Sequence, residues 1–100
     1  MRRLALMALA LVVLPHVAVQ AQEVEAGRAL AATCTGCHGT AGASIGPIPG
    51  IDGMEASRMI LLLGEFRDGK REATIMDQLV RGYSDAQIQA LAQWFESRKR

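Results

Sequence analysis

The feature that most constrains this chain is a five-residue sequence, Cys34-Thr35-Gly36-Cys37-His38, which contains both of its cysteines. This C-x-x-C-H pattern is the attachment signature of c-type haem. Two thiols three positions apart reach the two vinyl groups on one edge of the porphyrin, and the adjacent imidazole lies under the iron as its fifth ligand. The motif therefore predicts one covalent haem c, with Cys34 and Cys37 as thioethers and His38 as the proximal iron ligand.

Three other interpretations of the motif are weaker. A structural zinc site needs four ligands, usually from two such pairs, and the chain beyond residue 21 offers only these three. A thioredoxin-like redox pair needs a βαβ setting, and no strand pattern is present. A Cys34–Cys37 disulfide closes too short a loop to add much stability, although it is a plausible transient state before haem attachment.

The first 21 residues have the pattern of an export signal. Arg2 and Arg3 precede an unbroken apolar run of 11 residues from Leu4 to Leu14, and small residues up to Ala21 fit a cleavage site. We expect residues 1–21 to be removed and residues 22–100 to form the domain. The alternative, an uncleaved anchor, is disfavoured because a membrane-spanning helix needs about 20 apolar residues. Export predicts a periplasmic protein, in an oxidising compartment where thiols persist only when paired, metallated or alkylated.

The remaining domain has few apolar residues of its own. The leader holds 16 of the 50 hydrophobic residues, which leaves 34 among 79, with only four aromatics. Domains of this size often depend on a disulfide, a metal or another staple. Without the leader, nine Lys and Arg face ten Asp and Glu, so the charge gives no indication of a nucleic-acid partner.

Helical periodicity recurs along the domain, and alternating strand patterns are absent. Glycine-rich segments separate the patterns, and the stretch from Gly36 to Gly53, with six glycines and two prolines, predicts a long loop without an element of its own. Ser84 and Gln87 form a capping box that starts the last helix. The fold class is therefore all-α. The predicted helices are Glu23–Thr33, Glu55–Phe66, Ile75–Tyr83 and a final helix with Ile88, Leu91, Ala92 and Phe95 on its buried face.

The sixth iron ligand is less certain from the residues. His16 leaves with the leader, so a methionine or an open position remains. Met59 shares a helical face with leucines and suits a core role, and Met54 follows the proline loop closely. Met76 lies 38 residues past His38, between a polar turn and a short helix, where a loop can fold back over the iron. An open position would instead indicate a small haem sensor or catalytic haem module.

Four groups of residues follow the pattern of a known family. They are Gly27 and Leu30 before the motif, Leu91 and Trp94 near the end, Pro49-Gly50-Ile51-Asp52-Gly53, which is similar to a P-x-L-x-G segment, and Gly69–Asp77 with Gly82–Asp85. Through them the chain resembles small monohaem class I cytochromes c over essentially the whole region after residue 21, with similarity to the cytochrome subunit of flavocytochrome c sulfide dehydrogenase. The chain departs from the family at Leu30, where an aromatic is usual, and in its short loop after His38.

This resemblance implies a small cytochrome c fold of three to five helices around one covalent haem. It makes Met76 the distal iron ligand and places Ile51 in the haem pocket. It also makes the carbonyl of Pro49, with Pro47 as second choice, the acceptor for the other ring N–H of His38. The alternative is that both prolines only stiffen the loop. It implies a periplasmic carrier of single electrons rather than an enzyme, acting as the haem subunit or acceptor of an FAD-containing sulfide dehydrogenase. No nucleic-acid partner and no permanent membrane span are expected.

Overall fold

The computed structural model describes residues 16, 19 and 22–98. Within this part of the chain there are five α-helices and one 3-10 turn, and no strand, which confirms the predicted all-α fold. Of the predicted leader, all but residues 16 and 19 lie outside the described residues. The described part of the chain includes no helix of the length and apolar character that crossing a bilayer requires. The elements are α1 (22–31), α2 (Thr35–His38), the 3-10 turn Thr40–Gly42, α3 (Ala56–Arg67), α4 (Met76–Val80) and α5 (Asp85–Glu96).

The start of α5 is fixed by two kinds of contact. The Gln87 backbone N–H donates to the Ser84 hydroxyl over 3.2 Å, and the Ser84 N–H donates to the Gln87 side-chain oxygen over 2.9 Å. This confirms the capping box. The Arg67 guanidinium donates to Asp85 Oδ1 over 2.7 Å, which links the end of α3 to the first turn of α5. The hydrogen bond to Asp85 and the charge of Asp85 raise the pKa of Arg67.

The hydrophobic core lies where α1, α3 and α5 meet, and it is small. Among the described residues only seven apolar side chains are buried, which fits the low apolar content of the domain. Helix α3 packs against both α4 and α5. The central cluster consists of Ala31, Met59, Leu91, Ala92 and Phe95, and Val80 and Ile88 are the other two buried side chains.

Helices α1 and α5 cross at a glycine. A Cβ built on Gly27 would overlap the carbonyl oxygen of Ala90 and would lie 3.1 Å from the Cβ of Trp94. Glycine therefore permits the two helix backbones to approach closely. The crossing holds the end of α1, and with it the cysteine motif, against α5.

One local expectation from sequence is wrong. The stretch from Gly36 to Gly53 is not a loop throughout, because it contains the end of α2 and the 3-10 turn. The apolar side chains of Val24, Ile75 and Leu79, which lie in helical patterns of the sequence, are about half exposed. Periodicity identifies the apolar side of a helix, and it does not say how much of that side a neighbouring element covers.

Candidate functional site

The cysteine motif forms one short helical turn. The Cys34 carbonyl accepts from the N–H groups of Cys37 over 3.3 Å and His38 over 3.0 Å, and Gly39 ends the turn with a positive φ of 88°. The Cys34 side chain is half-buried and Cys37 is exposed, and both are free thiols. The turn and its N-cap thus present two thiols and one imidazole, at positions 34, 37 and 38.

The two thiols have different surroundings. Burial raises the pKa of the Cys34 thiol, and a hydrogen bond with Thr33 partly offsets this effect. The Thr33 hydroxyl oxygen lies 3.9 Å from Cys34 Sγ. Cys34 also packs against the core cluster. The first thiol of the motif is therefore anchored in the protein, and the second faces solvent.

The orientation of His38 is fixed by the proline loop. His38 Nδ1 lies 2.7 Å from the carbonyl oxygen of Pro49. A carbonyl oxygen only accepts, so Nδ1 carries the proton, and in the neutral imidazole Nε2 then keeps its lone pair. This is the arrangement in which a metal-binding histidine donates its other ring N–H to an acceptor that sets its tautomer and direction.

The loop that carries Pro49 is itself held in place by Gly42. The Gly42 carbonyl accepts from Ile51 N over 2.8 Å and from Asp52 N over 3.3 Å. Gly42 has a φ of +80°, and a Cβ there would lie 2.9 Å from both Ile51 Cγ1 and Phe95 Cε1. The loop therefore lies directly on α5, a contact that the glycine at this position makes possible. Ile51 packs against the core cluster, and its place in a haem pocket stays a prediction.

The three methionines of the domain differ in their packing. Met59 is buried in the core cluster, with 5% of its surface exposed, and Met54 packs against that cluster. Met76, the first residue of α4, is half-buried and is not among the side chains of the cluster. Two of the three methionine side chains are therefore used in packing of the core.

The residues present fit a covalent haem. The donor set combines two free thiols, an imidazole with its Nε2 lone pair available, and a thioether, which are the groups that c-type haem attachment and His/Met ligation use. Ile48 and Ile75, the neighbours of Pro49 and Met76, expose 41% and 47% of their surfaces, which suits contact with a flat apolar ring. Within residues 22–98, no three His, Cys, Asp or Glu side chains are placed to hold a metal ion.

Sequence reasoning missed one contact at the site. The hydroxyl groups of Thr33 and Tyr83 lie 2.6 Å apart, although the residues are 50 positions apart in the chain. No local pattern connects the two hydroxyls, so this pair required the folded structure.

Similar proteins agree with this site. A model of the cytochrome c family matches residues 24–99. The cytochrome subunit of sulfide dehydrogenase from Chlorobaculum tepidum is 36% identical over 69 residues, which are 69% of this chain and 63% of the relative. The chain thus spans a little under two thirds of that protein.

Two further relatives extend the comparison. Cytochrome c-554(548) from Halomonas halodenitrificans is 32% identical over 83 residues that cover 79% of this chain and 100% of the relative. Cytochrome c4 from Pseudomonas aeruginosa is 34% identical over 80 residues, which are 79% of this chain and 40% of the relative. The chain belongs to the cytochrome c family and is a c-type cytochrome with covalently bound haem c.

Proposed function

We propose that this chain is an exported cytochrome that carries single electrons on a haem attached through Cys34 and Cys37 and ligated by His38 and Met76. The observation that carries the proposal is the hydrogen bond from His38 Nδ1 to the Pro49 carbonyl, at 2.7 Å. It leaves Nε2 as the ligand atom, beside two free thiols on the same helical turn.

The packing of the methionines supports Met76 as the distal ligand. Using Met59 would require a side chain to leave the core cluster, and a buried methionine costs about 2–5 kcal/mol when it is truncated to alanine. Met54 packs against the same cluster. Met76 lies outside it, at the start of a short helix after a polar turn. Its use as a ligand disrupts none of the described core contacts.

The chain's own residues then do three things. Cys34 and Cys37 would tether the haem, Pro49 keeps His38 in one tautomer and one direction, and Met76 would be the second protein ligand of the iron. The haem would supply one-electron exchange between iron(III) and iron(II), and a thioether ligand would raise its potential. With His38 and Met76 both bound, neither oxygen nor a substrate would have a place at the iron, which supports electron transfer as the activity.

The compartment and partner follow from other observations. The basic start and the apolar run of residues 1–21 support export to the periplasm. The relative from Chlorobaculum tepidum carries the name of a sulfide dehydrogenase subunit. We propose that the electron donor of this chain is a flavoprotein sulfide dehydrogenase, docked as a redox partner. Purification from the source tests this, because a larger flavin-containing protein should co-elute with the cytochrome; elution of the cytochrome alone contradicts a stable complex.

Carbon monoxide binding tests the closed axial position. The reduced holoprotein should bind carbon monoxide slowly or not at all at neutral pH, because Met76 occupies the site that the gas needs. Met76→Ala should bind it rapidly. Met54→Leu is the matched control, since this near-isosteric change removes another thioether and should leave carbon monoxide binding as in the wild type. Rapid binding by the wild-type protein would contradict the electron-carrier proposal and favour a sensor or catalytic haem module.

A further inference from the structure

The hydroxyl groups of Thr33 and Tyr83 form a hydrogen bond of 2.6 Å. The Leu30 carbonyl lies 2.8 Å from the same Thr33 hydroxyl and accepts from it. Tyr83 is half-buried and its side chain packs against the core cluster. Its hydroxyl thus ends a fixed chain of hydrogen bonds that leads back to the end of α1.

The two partners belong to the two segments that carry the proposed iron ligands. Thr33 directly precedes Cys34, and its hydroxyl oxygen lies 3.9 Å from Cys34 Sγ. Tyr83 continues the turn after α4, where its N–H donates to the Val80 carbonyl over 3.1 Å. Helix α4 begins at Met76. The hydrogen bond therefore joins the cysteine motif to the helix that starts at Met76.

The other contacts of α4 hold it against α3. Val80 is buried, with 1% of its surface exposed, and α4 packs against α3. Leu79 is about half exposed. Among the side-chain hydrogen bonds found within residues 22–98, only the one between Tyr83 and Thr33 joins the α4–α5 turn to the segment just before the motif. This contact therefore adds a direct link between the turn after α4 and the segment before the motif.

We propose that Tyr83 and Thr33 are positioning residues that hold Met76 in place as the distal ligand. This inference rests on the proposed ligation by Met76. A methionine that is held in place competes better with an external ligand for the iron than one on a loosened helix. Removing the bond should therefore increase the affinity of the ferric protein for an added ligand about fivefold, the factor that corresponds to one hydrogen bond of ordinary net strength.

The test is an optical titration of the ferric holoprotein with imidazole, which displaces a methionine ligand. Tyr83→Phe and Thr33→Val should each raise the imidazole affinity about fivefold, and the double variant should show no further increase, because both changes remove the same bond. Thr33→Ser keeps the hydroxyl and should behave as the wild type. Thr40→Val is the matched control, since no hydrogen bond of the Thr40 hydroxyl is found in the described chain.

The outcomes separate this inference from the proposed ligation. If the wild type has the far-red thioether band and Tyr83→Phe loses thermal stability without any change in imidazole affinity, the two residues are only structural and the inference is wrong. Additive effects in the double variant overturn it as well. If the wild-type ferric protein lacks that band and Met76→Ala binds imidazole as the wild type does, the ligation by Met76 fails, and the inference fails with it.

Discussion

The substitution Gly27→Ala tests the close crossing of α1 and α5. In an ordinary helix, replacing glycine by alanine stabilises the folded state by about 1 kcal/mol. At Gly27 the new methyl group would overlap the Ala90 carbonyl oxygen and would lie 3.1 Å from Trp94 Cβ. The obstructing atom is backbone, so it yields only if the two helices move apart. Overpacking of this kind costs about 1–3 kcal/mol.

Because the overlap is with backbone, the overpacking cost lies in the upper part of that range, about 2–3 kcal/mol. After subtraction of the gain in helix propensity, we expect Gly27→Ala to lose about 1–2 kcal/mol of unfolding free energy. In a domain of this size that corresponds to a fall in Tm of about 5–10 °C. Gly64→Ala in α3 is the matched control, because nothing lies within 4 Å of its Cβ position, and it should gain about 0.5–1 kcal/mol. Thermal unfolding of both holoproteins, followed by circular dichroism, shows whether each substitution raises or lowers Tm. A rise in Tm for Gly27→Ala as large as that for Gly64→Ala would refute the close crossing.

Two further substitutions test how the loop and α5 are held. Gly42→Ala combines a left-handed backbone with contacts of 2.9 Å to Ile51 and Phe95, so we expect a loss of about 2–4 kcal/mol in denaturant unfolding; a loss below that of Gly27→Ala would contradict the seating of this loop on α5. Ser84→Ala removes the cap of α5 and should cost about 1 kcal/mol by the same measurement, whereas unchanged stability would mean that the capping box contributes nothing.

The sequence predicts the elements of this fold better than their contacts. The capping box at Ser84 has a local signature, and its start of α5 is confirmed. The short helix α2 was missed because glycines on either side of Cys37 favour a loop, while the helical turn depends on the hydrogen bonds that the Cys34 carbonyl accepts. The sequence around Gly42 likewise does not indicate that its carbonyl binds the loop or that the absence of a Cβ lets the loop contact α5.

The candidate site was predictable to a similar extent. The spacing of Cys34, Cys37 and His38 indicates the cofactor directly, because the chemistry requires those residue types at those positions. The acceptor for His38 came from the resemblance at Pro49, since no periodic pattern pairs an imidazole with a carbonyl 11 residues away. The bond between Thr33 and Tyr83 spans 50 residues, and such pairs form only when the tertiary fold brings their elements together.

The most direct test of the account is the far-red absorption of the ferric holoprotein. Ligation by His38 and Met76 predicts the weak charge-transfer band of a thioether on iron(III), and predicts that Met76→Ala loses it while the haem stays covalently attached. Met54→Leu should keep the band. A band that survives in Met76→Ala, or a wild-type protein that lacks it, would contradict the assignment of Met76 and with it the closed site of an electron carrier.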